Sequence, residues 1–316
     1  MTEATRPVAG PSAERMSLLA ILALTGAGWG LTQPLMKIAV TGGYRAFGLI
    51  FWQLVIAVIC LGAVCLATGR PMPWRDRARW NGRALTICAV VALCGTLIPN
   101  AGSFTAAIHL PSGVLSILVS TVPILAFPIA LMLGTDRFGW LRLGGLALGL
   151  AGVLLLVAPE ASLPDPAMAA FVPLGLIAPV FYAMEGNVVA RWGTGGLDAI
   201  ELLFGASLIG LVVSLPLALA FGHWIDPFGP WGARDAALLG SSLIHAVVYT
   251  VYVWLVGRAG AVFAVQVGYL VTGFGMAWAM LLLGETYSRW IWAALGLIVA
   301  GMLLVQPRPK AVLAPT

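Results

Sequence analysis

Long apolar stretches recur along the whole chain, and the short segments between them hold most of the charged residues. The stretch from Ala46 to Thr68 is typical, because it is apolar on every face and contains no charge. A bilayer core about 30 Å thick needs about 20 apolar residues per helical crossing. Strands of a membrane β-barrel would instead show about 10 residues of alternating polarity. The pattern therefore predicts membrane-crossing α-helices.

Ten such stretches fit the sequence, so the predicted fold class is an all-α polytopic membrane protein. The predicted transmembrane helices cover residues 17–39, 46–68, 84–107, 113–133, 140–158, 169–190, 197–221, 236–256, 260–283 and 290–306. Composition agrees with this class, because 60% of the 316 residues are hydrophobic and only 9% are charged. So few charges cannot cover the surface of a soluble protein of this length.

The distribution of basic residues predicts the orientation of the chain. With a cytoplasmic N-terminus, only Lys37, Arg45, Arg234 and Arg289 of the 17 basic residues would face the outside. Cytoplasmic loops of membrane proteins carry the excess of Lys and Arg. We therefore expect a multi-pass inner-membrane protein with cytoplasmic tails at residues 1–16 and 307–316. The basic segment Arg70–Arg83 is interpreted as an anchor at the lipid surface, and no nucleic-acid partner is expected.

Two parts of the chain resemble each other. Residues Leu131–Gly134 match Leu281–Gly284, and Trp140 matches Trp290 at the same offset. The match predicts two five-helix repeats, residues 17–158 and 169–306. Because each repeat has an odd number of crossings, its second copy enters the membrane in the opposite orientation, so the repeats are inverted. Inverted repeats are typical of secondary transporters, whose substrate site lies between the two copies.

Several short motifs support a family resemblance. They are Trp29-Gly30 followed by Lys37, then Pro123 and Leu133-Gly134, and finally Leu283-Gly284-Glu285 with Gly296 and Gly301. In these residues the sequence resembles the drug/metabolite transporter superfamily and, within it, the EamA-type family, over nearly the whole chain. The resemblance implies a ten-helix fold of two inverted repeats around a central cavity. It also implies export or exchange of small metabolites, with amino acids or related compounds as the first candidates.

Polar residues inside the predicted helices point to a cavity, because burying them is costly unless they meet partners or water. The third helix carries Thr96, Asn100 and Ser103 on one face, and the eighth carries His245, Tyr249 and Tyr252 at the same spacing. These helices correspond in a duplicated chain, so both stripes are expected to face one cavity. The full set of predicted substrate-binding residues is Trp29, Gln33, Asn100, Ser103, Tyr182, His245, Tyr249, Gln266 and Tyr269.

Glu185 is the acidic residue set furthest into a predicted helix. It precedes Arg191 by six residues and so lies about 9 Å below the helix end. Its side chain leans toward the membrane interior, with Tyr182 one turn away on the same face. We therefore regard Glu185 as a candidate proton carrier or a counter-charge for a cationic solute, with snorkelling to the helix end as the alternative.

Other features have structural explanations. Tyr and Trp often lie at the membrane interface, and amides often bond a neighbouring helix. Lys37 is interpreted as snorkelling to the headgroups, and Glu285 as a cap at a helix start. The glycines Gly145, Gly149, Gly152, Gly296 and Gly301 allow close helix approach, either inside one chain or in a homodimer.

Enzyme motifs are missing from the sequence. There is no His-Glu-x-x-His site, no paired Asp motif, no Gly-x-Ser-x-Gly elbow and no Walker loop. His109, His223 and His245 lack the spacing of metal ligands. We therefore expect no catalytic residue, metal or cofactor. The expected partners are a small-molecule substrate and the bilayer, with a homodimer left open. The alternative functions are a membrane-embedded enzyme acting on a lipid or apolar substrate and a non-transporting scaffold or receptor.

Overall fold

A computed structural model describes residues 11–157, 162–259, 263 and 266–305 of the chain. Within these ranges all regular structure is helical. The ten helices are α1 (Pro11–Thr41), α2 (Ala46–Ala67), α3 (Gly82–His109), α4 (Ser112–Met132), α5 (Trp140–Val157), α6 (Pro166–Trp192), α7 (Ala199–Ala220), α8 (Ala233–Ala259), α9 (Val267–Leu283) and α10 (Arg289–Val305).

Eight helices in the described ranges are long and apolar enough to cross a membrane. The other two, α9 and α10, are apolar but have only 17 residues each. The predicted class, an all-helical polytopic membrane protein, is therefore confirmed. Residues 260–262, 264 and 265 of the ninth predicted helix, most of the predicted N-terminal tail and the whole predicted C-terminal tail lie outside the described residues.

Three helices depart from regular α-helical geometry. α3 contains a π-helical turn at Leu93–Leu97, and α6 begins with the 3-10 turn Pro166–Phe171. α4 is interrupted between Val119 and Val122, just before Pro123. Proline lacks an N–H and its ring clashes with the carbonyl four residues earlier, so Pro123 disfavours a continuous helix at Val119, where the first part of α4 ends.

Helix packing follows a regular scheme. α1 packs against α8 and α9, whereas α6 packs against α3 and α4. α2 packs against α7 and α8, and α7 also contacts α3. α4 contacts α9, and α5 packs along α10. The main apolar core joins these helices around fully buried side chains such as Leu49, Ile117, Met276 and Ile298.

Glycines bring α5 and α10 into backbone contact. A Cβ atom added to Gly145 would lie 2.7 Å from the carbonyl oxygen of Gly301, and one added to Gly301 would lie 2.6 Å from that of Gly145. Gly152 faces Ile298 of α10 just as closely, while Gly296 meets no atom within 4 Å. Of the two sequence interpretations, packing within one chain therefore accounts for Gly145, Gly152 and Gly301.

The segment between α2 and α3 is held to the start of α7 by two ion pairs, which we call the α7 junction. Arg70 Nε lies 2.7 Å from Asp198 Oδ2, and Arg79 Nη2 lies 2.7 Å from Glu201 Oε2. Asp198 and Glu201 also form a capping box at the first turn of α7. Burial alone would raise the pKa of Asp198, but hydrogen bonds from the Glu201 N–H and from Arg70 outweigh it and hold that pKa below its usual value.

A second junction lies at the opposite end of the α2–α7 pair, and we call it the α2 junction. The Trp52 indole N–H donates to the carbonyl oxygen of Ile225 at 3.1 Å. The Tyr44 hydroxyl donates to Asp235, and the Arg234 guanidinium lies 4.7 Å from the centre of the Tyr44 ring. Burial and the Asp235 hydrogen bond both raise the pKa of Tyr44. Both junctions thus connect the first half of the chain to the second.

The glycine contact gives a direct test of the α5–α10 packing. Gly145→Ala is expected to lower the melting temperature in detergent, because its methyl group meets the backbone oxygen of Gly301 and no side-chain rotation can relieve the clash. Overpacking of this kind costs about 1–3 kcal/mol. Gly144→Ala is the matched control, since Gly144 has no atom within 4 Å of an added Cβ. Equal melting temperatures for the two variants would contradict the packing.

Candidate substrate site

An aromatic cluster joins the middle of α1 to the middle of α8. The Trp29 indole N–H donates to Nδ1 of His245 at 3.1 Å. The centre of the Trp29 ring system lies 5.9 Å from the Tyr249 ring and 5.5 Å from the Tyr252 ring. The predicted stripe of His245, Tyr249 and Tyr252 thus does lie on one face of α8, and it meets Trp29 there.

A chain of polar contacts joins α2, α3 and α6. The Asn100 side-chain amide donates to Oε1 of Gln53 at 3.1 Å, and the Tyr182 hydroxyl donates to Oδ1 of Asn100 at 3.2 Å. All three side chains are half-buried. Asn100 is the central member of this chain, since it both donates and accepts.

Glu185 packs against the π-helical turn of α3. A Cβ atom added to Gly95 would lie 2.7 Å from the carboxyl carbon and both carboxyl oxygens of Glu185. The missing side chain at Gly95 therefore leaves the space that the carboxylate occupies. π-helical turns inside α-helices are frequent at functional sites, and this one lies within two turns of Asn100.

The polar chain ends beside Glu185, because Tyr182 and Glu185 lie about one turn apart on the same face of α6. The aromatic cluster lies on α1 and α8, and α1 also packs against α3. Among the described ion pairs, none involves Glu185. We call this set of residues the Glu185 site, and its members are Trp29, Gln53, Asn100, Tyr182, Glu185, His245, Tyr249 and Tyr252.

Three predicted binding residues, Gln33, Ser103 and Gln266, are not joined to the Glu185 site by any described contact, and Tyr269 lies elsewhere in the bundle. Gln33 and Ser103 are half-buried on α1 and α3, each about one turn along its helix from a member of the site. Gln266 is exposed at the turn before α9. Tyr269 packs against the main apolar core.

Sequence reasoning missed Gln53 and Gly95. Gln53 is the one amide side chain in the apolar helix α2, and that isolation was the available signal. Gly95 is one of 38 glycines, and nothing in the sequence distinguishes it from glycines that only allow close packing between helices.

Lys37 and Glu285 hold the turn between α3 and α4. The Lys37 ammonium donates to the carbonyl oxygens of Ala107 at 2.6 Å and Leu110 at 3.0 Å, so its interpretation as a snorkelling residue is wrong. The Glu285 carboxylate accepts from the backbone N–H groups of Ser112 and Gly113, at 2.7 and 3.1 Å. Glu285 is therefore a helix cap, but it caps α4 instead of α10, which follows it in sequence.

The structure gives no ground for assigning a metal centre. Within the described ranges, no three His, Cys, Asp or Glu side chains are grouped so that they could hold an ion. The chemistry available at the Glu185 site consists of ring faces, amide and hydroxyl groups and one carboxylate. Such groups can bind and orient a polar organic solute.

Fold and site together define a multi-pass helical membrane protein with a polar and aromatic site between its helices. The model of the EamA-like transporter family matches residues 16–158 and 170–306. The chain belongs to this family and is thus a membrane transporter by class. The resemblance inferred from the short motifs is confirmed.

Individual relatives agree with the family match. An uncharacterized inner membrane transporter of Escherichia coli, YedA, is 26% identical over 281 residues, covering 88% of this chain and 86% of the relative. A probable terminal-alkyne amino-acid exporter of Streptantibioticus cattleyicolor is 24% identical over 296 residues, covering 91% of this chain and 92% of the relative. A crystal structure covering 90% of this chain and 94% of its own superimposes with a TM-score of 0.57 at 19% identity, which supports the fold alone.

The contact between Gly95 and Glu185 predicts how the site responds to one methyl group. Gly95→Ala is expected to displace the Glu185 carboxylate, and at little cost in stability, because the atoms it meets are the flexible end of a side chain. Transport into liposomes should therefore fall several-fold while the melting temperature changes little. Gly186→Ala, beside Glu185 on α6 with no atom within 4 Å, is the control. Unchanged transport by Gly95→Ala would contradict this role for Gly95.

Proposed function

We propose that this protein is a secondary transporter that moves small organic metabolites across the inner membrane by alternating access. The observation that carries the proposal is that paired polar and aromatic side chains from both halves of the chain, together with Glu185, lie inside an otherwise apolar helical bundle. The contributing helices α1, α2 and α3 come from the first family-matched segment, and α6 and α8 come from the second. A site between two repeats is the usual arrangement in secondary transporters.

The packing scheme supports two inverted repeats, α1–α5 and α6–α10. If the two sets are exchanged, the contact of α1 with α8 becomes that of α6 with α3, and α2 with α8 becomes α7 with α3. The contacts of α2 with α7, α4 with α9 and α5 with α10 are unchanged by the exchange. Five crossings per repeat give the second repeat the opposite orientation, which is the basis for opening the site to each side in turn.

The proposed substrates are amino acids or related metabolites, moved by export or exchange. The name of the Streptantibioticus relative, a probable amino-acid exporter, supports this class. We propose Trp29, Asn100, Tyr182, His245 and Tyr249 as substrate contacts. Gln33, Ser103, Gln266 and Tyr269 are proposed to join them in another conformation of the transport cycle.

Glu185 is proposed to couple transport to a proton or to balance the charge of the solute. Its carboxylate packs against Gly95 in the π-helical turn of α3, and does not lie at the helix end that snorkelling would require. The carboxylate can therefore bind either a proton or a cationic group that enters the site.

The proposed location is the inner membrane, with both termini in the cytoplasm. The printed name of the Escherichia coli relative supports this membrane, and the excess of basic residues between α2 and α3 supports this orientation. A homodimer is compatible with the sequence, and its test is the mass of the protein in detergent.

Labelling with a membrane-impermeant thiol reagent tests the orientation. Cys60, Cys65, Cys88 and Cys94 are first replaced by alanine, and single cysteines are then introduced by Ala78→Cys or Phe228→Cys. Both positions are exposed, in the α2–α3 and α7–α8 segments. In intact spheroplasts only Phe228→Cys should react, and Ala78→Cys should react after the membrane is opened. Reaction of both from the same side would rule out the proposed orientation.

Transport by purified protein in liposomes tests the function itself. Asn100→Leu and His245→Leu are each expected to lower transport about tenfold, the effect of losing one hydrogen bond of about 1.4 kcal/mol. Folding should be nearly intact, because the side chains that lose their hydrogen-bond partner still face a polar site. Thr86→Val, which removes a hydroxyl on an exposed face of α3, is the control. If the two leucine variants transport normally, the site is assigned wrongly; product formation without transport would identify an enzyme.

A further inference from the structure

Two short glycine turns join the halves of the chain in corresponding ways. Thr41–Gly43 lies at the end of α1, and Thr194–Gly196 follows α6. A Cβ atom added to Gly42 would lie 2.7 Å from Cβ of Arg234, in the first turn of α8. One added to Gly195 would lie 2.7 Å from a Cα atom in the first turn of α3. Each glycine turn therefore packs against the start of a helix from the other half.

An arginine closes each of these contacts with a hydrogen bond to a carbonyl oxygen. Arg234, the second residue of α8, donates to Gly42 at 3.1 Å, and we call this pair the α8 clasp. Arg83, the second residue of α3, donates to Trp192 at 2.8 Å, and we call this pair the α3 clasp. In the proposed repeat arrangement α3 and α8 correspond, so the two clasps are equivalent. One lies beside the start of α2 and the other beyond its end, at the opposite side of the bundle.

The two clasps differ in what surrounds the charge of the arginine. In the α8 clasp the guanidinium lies 4.7 Å from the centre of the Tyr44 ring, and its Nε lies 3.9 Å from Oδ2 of Asp235. In the α3 clasp Arg83 is exposed and takes part in no described ion pair or ring contact. The positions equivalent to Asp235 and Tyr44 are Ala84 and Leu197, which carry neither a charge nor a ring. The α3 clasp therefore has an uncompensated positive charge.

The surface beside the α3 clasp is basic and aromatic. Arg191 and Trp192, the last two residues of α6, are both exposed. The carboxylates of Asp198 and Glu201 follow soon after in sequence, but both are already bound by arginines of the α7 junction. They are therefore not available to balance the charge of Arg83.

The α3 clasp lies at the depth of the lipid headgroups. It joins the first turn of α3 to the last turn of α6, and both helices are long and apolar enough to cross the membrane. Tryptophan at such helix ends lies at the headgroup level. In the proposed orientation this end is cytoplasmic, and the cytoplasmic leaflet is the one that carries anionic lipid. A guanidinium has five N–H donors and matches the geometry of a phosphate group.

We infer that the α3 clasp binds the phosphate group of an anionic phospholipid, with Arg83 as the contact and the nearby charge of Arg191 adding attraction. The inference rests on the proposed orientation and does not depend on transport. The α8 clasp would not bind such a lipid, because Asp235 already balances its arginine. A lipid held at the α3 clasp bridges α3 and α6, the helices that carry Asn100 and Tyr182.

Lipid titration of the purified protein in detergent, followed by native mass spectrometry, tests the site. The probes are dioleoylphosphatidylglycerol and dioleoylphosphatidylcholine, which have the same acyl chains and differ in net charge. The anionic lipid is expected to bind at least about fivefold more tightly, because one basic residue near the surface contributes about that factor to the affinity. Equal affinities would refute the inference.

Variants test whether Arg83 carries the preference. Arg83→Gln should weaken phosphatidylglycerol binding about fivefold and leave phosphatidylcholine binding unchanged. Arg83→Lys should weaken it less, because it keeps the charge but loses the paired donors. Arg234→Gln removes the equivalent bond of the α8 clasp and is the matched control, with no change expected. Arg191→Gln leaves the clasp bond intact and should weaken binding by a smaller factor than Arg83→Gln.

Two further results would overturn the inference. Arg77 is exposed in the same basic segment and is the control for diffuse attraction. An equal loss in Arg77→Gln and Arg83→Gln would show a general attraction of that segment and no discrete site. Displacement of the bound lipid by excess inorganic phosphate would show a site for a soluble anion.

Binding, labelling and transport together separate this inference from the proposed function. A protein that prefers phosphatidylglycerol through Arg83 but transports nothing would uphold the lipid site and refute the transporter mechanism. Transport by a protein without any lipid preference would refute the lipid site and leave the transporter. Thiol labelling that places the α2–α3 segment outside would refute the assigned leaflet.

Discussion

A polar side chain inside a lipid-embedded helix must find a partner or a wet cavity, and this requirement organises the whole molecule. The apolar helices satisfy their own backbone groups, so they can face lipid on their outer surfaces. Some internal polar side chains bond a backbone carbonyl, as Asn187 does with the carbonyl oxygen of Ala126 at 3.1 Å. Others pair with one another: Trp29 pairs with His245, and Asn100 links Gln53 to Tyr182. The site is thus a consequence of the same rule that makes the rest of the bundle apolar.

The same requirement determines how the helix ends are joined. Ion pairs hold the α7 junction, whereas a tyrosine–aspartate hydrogen bond and an indole–carbonyl bond hold the α2 junction. At the α3–α4 turn, Lys37 neutralises the carbonyl end of one helix and Glu285 the amide end of the next. These charges lie where helix dipoles or opposite charges stabilise them. These charged groups therefore stabilise the ends of the helices, whereas Glu185 lies inside the bundle.

Much of the fold could be predicted because hydrophobicity and helical periodicity are local properties of a sequence. Every described helix overlaps a predicted one, and the stripe His245, Tyr249 and Tyr252 lies on one face as its spacing required. Contacts between distant segments are not local, and they caused the errors. Nothing near Glu285 in sequence shows that it caps α4, and Gln53 becomes informative only beside Asn100. The choice between the two glycine interpretations also required the path of α10 past α5.

The π-helical turn at Leu93–Leu97 has a consequence for the register of α3. Such a turn holds one residue more than an α-helical turn, so everything after it is rotated by about 100° relative to a regular helix. If the same residues formed a regular α-helix throughout, Asn100 would be turned by about 100° away from its present direction, in which it meets Gln53 and Tyr182. The π-helical turn therefore allows the two halves of α3 to face the interior with residues that would lie on different sides of a regular helix. A deletion of a single residue there would convert α3 into a regular α-helix while leaving Asn100 on its present face, so the deletion would remove the bulge without turning the second half of the helix.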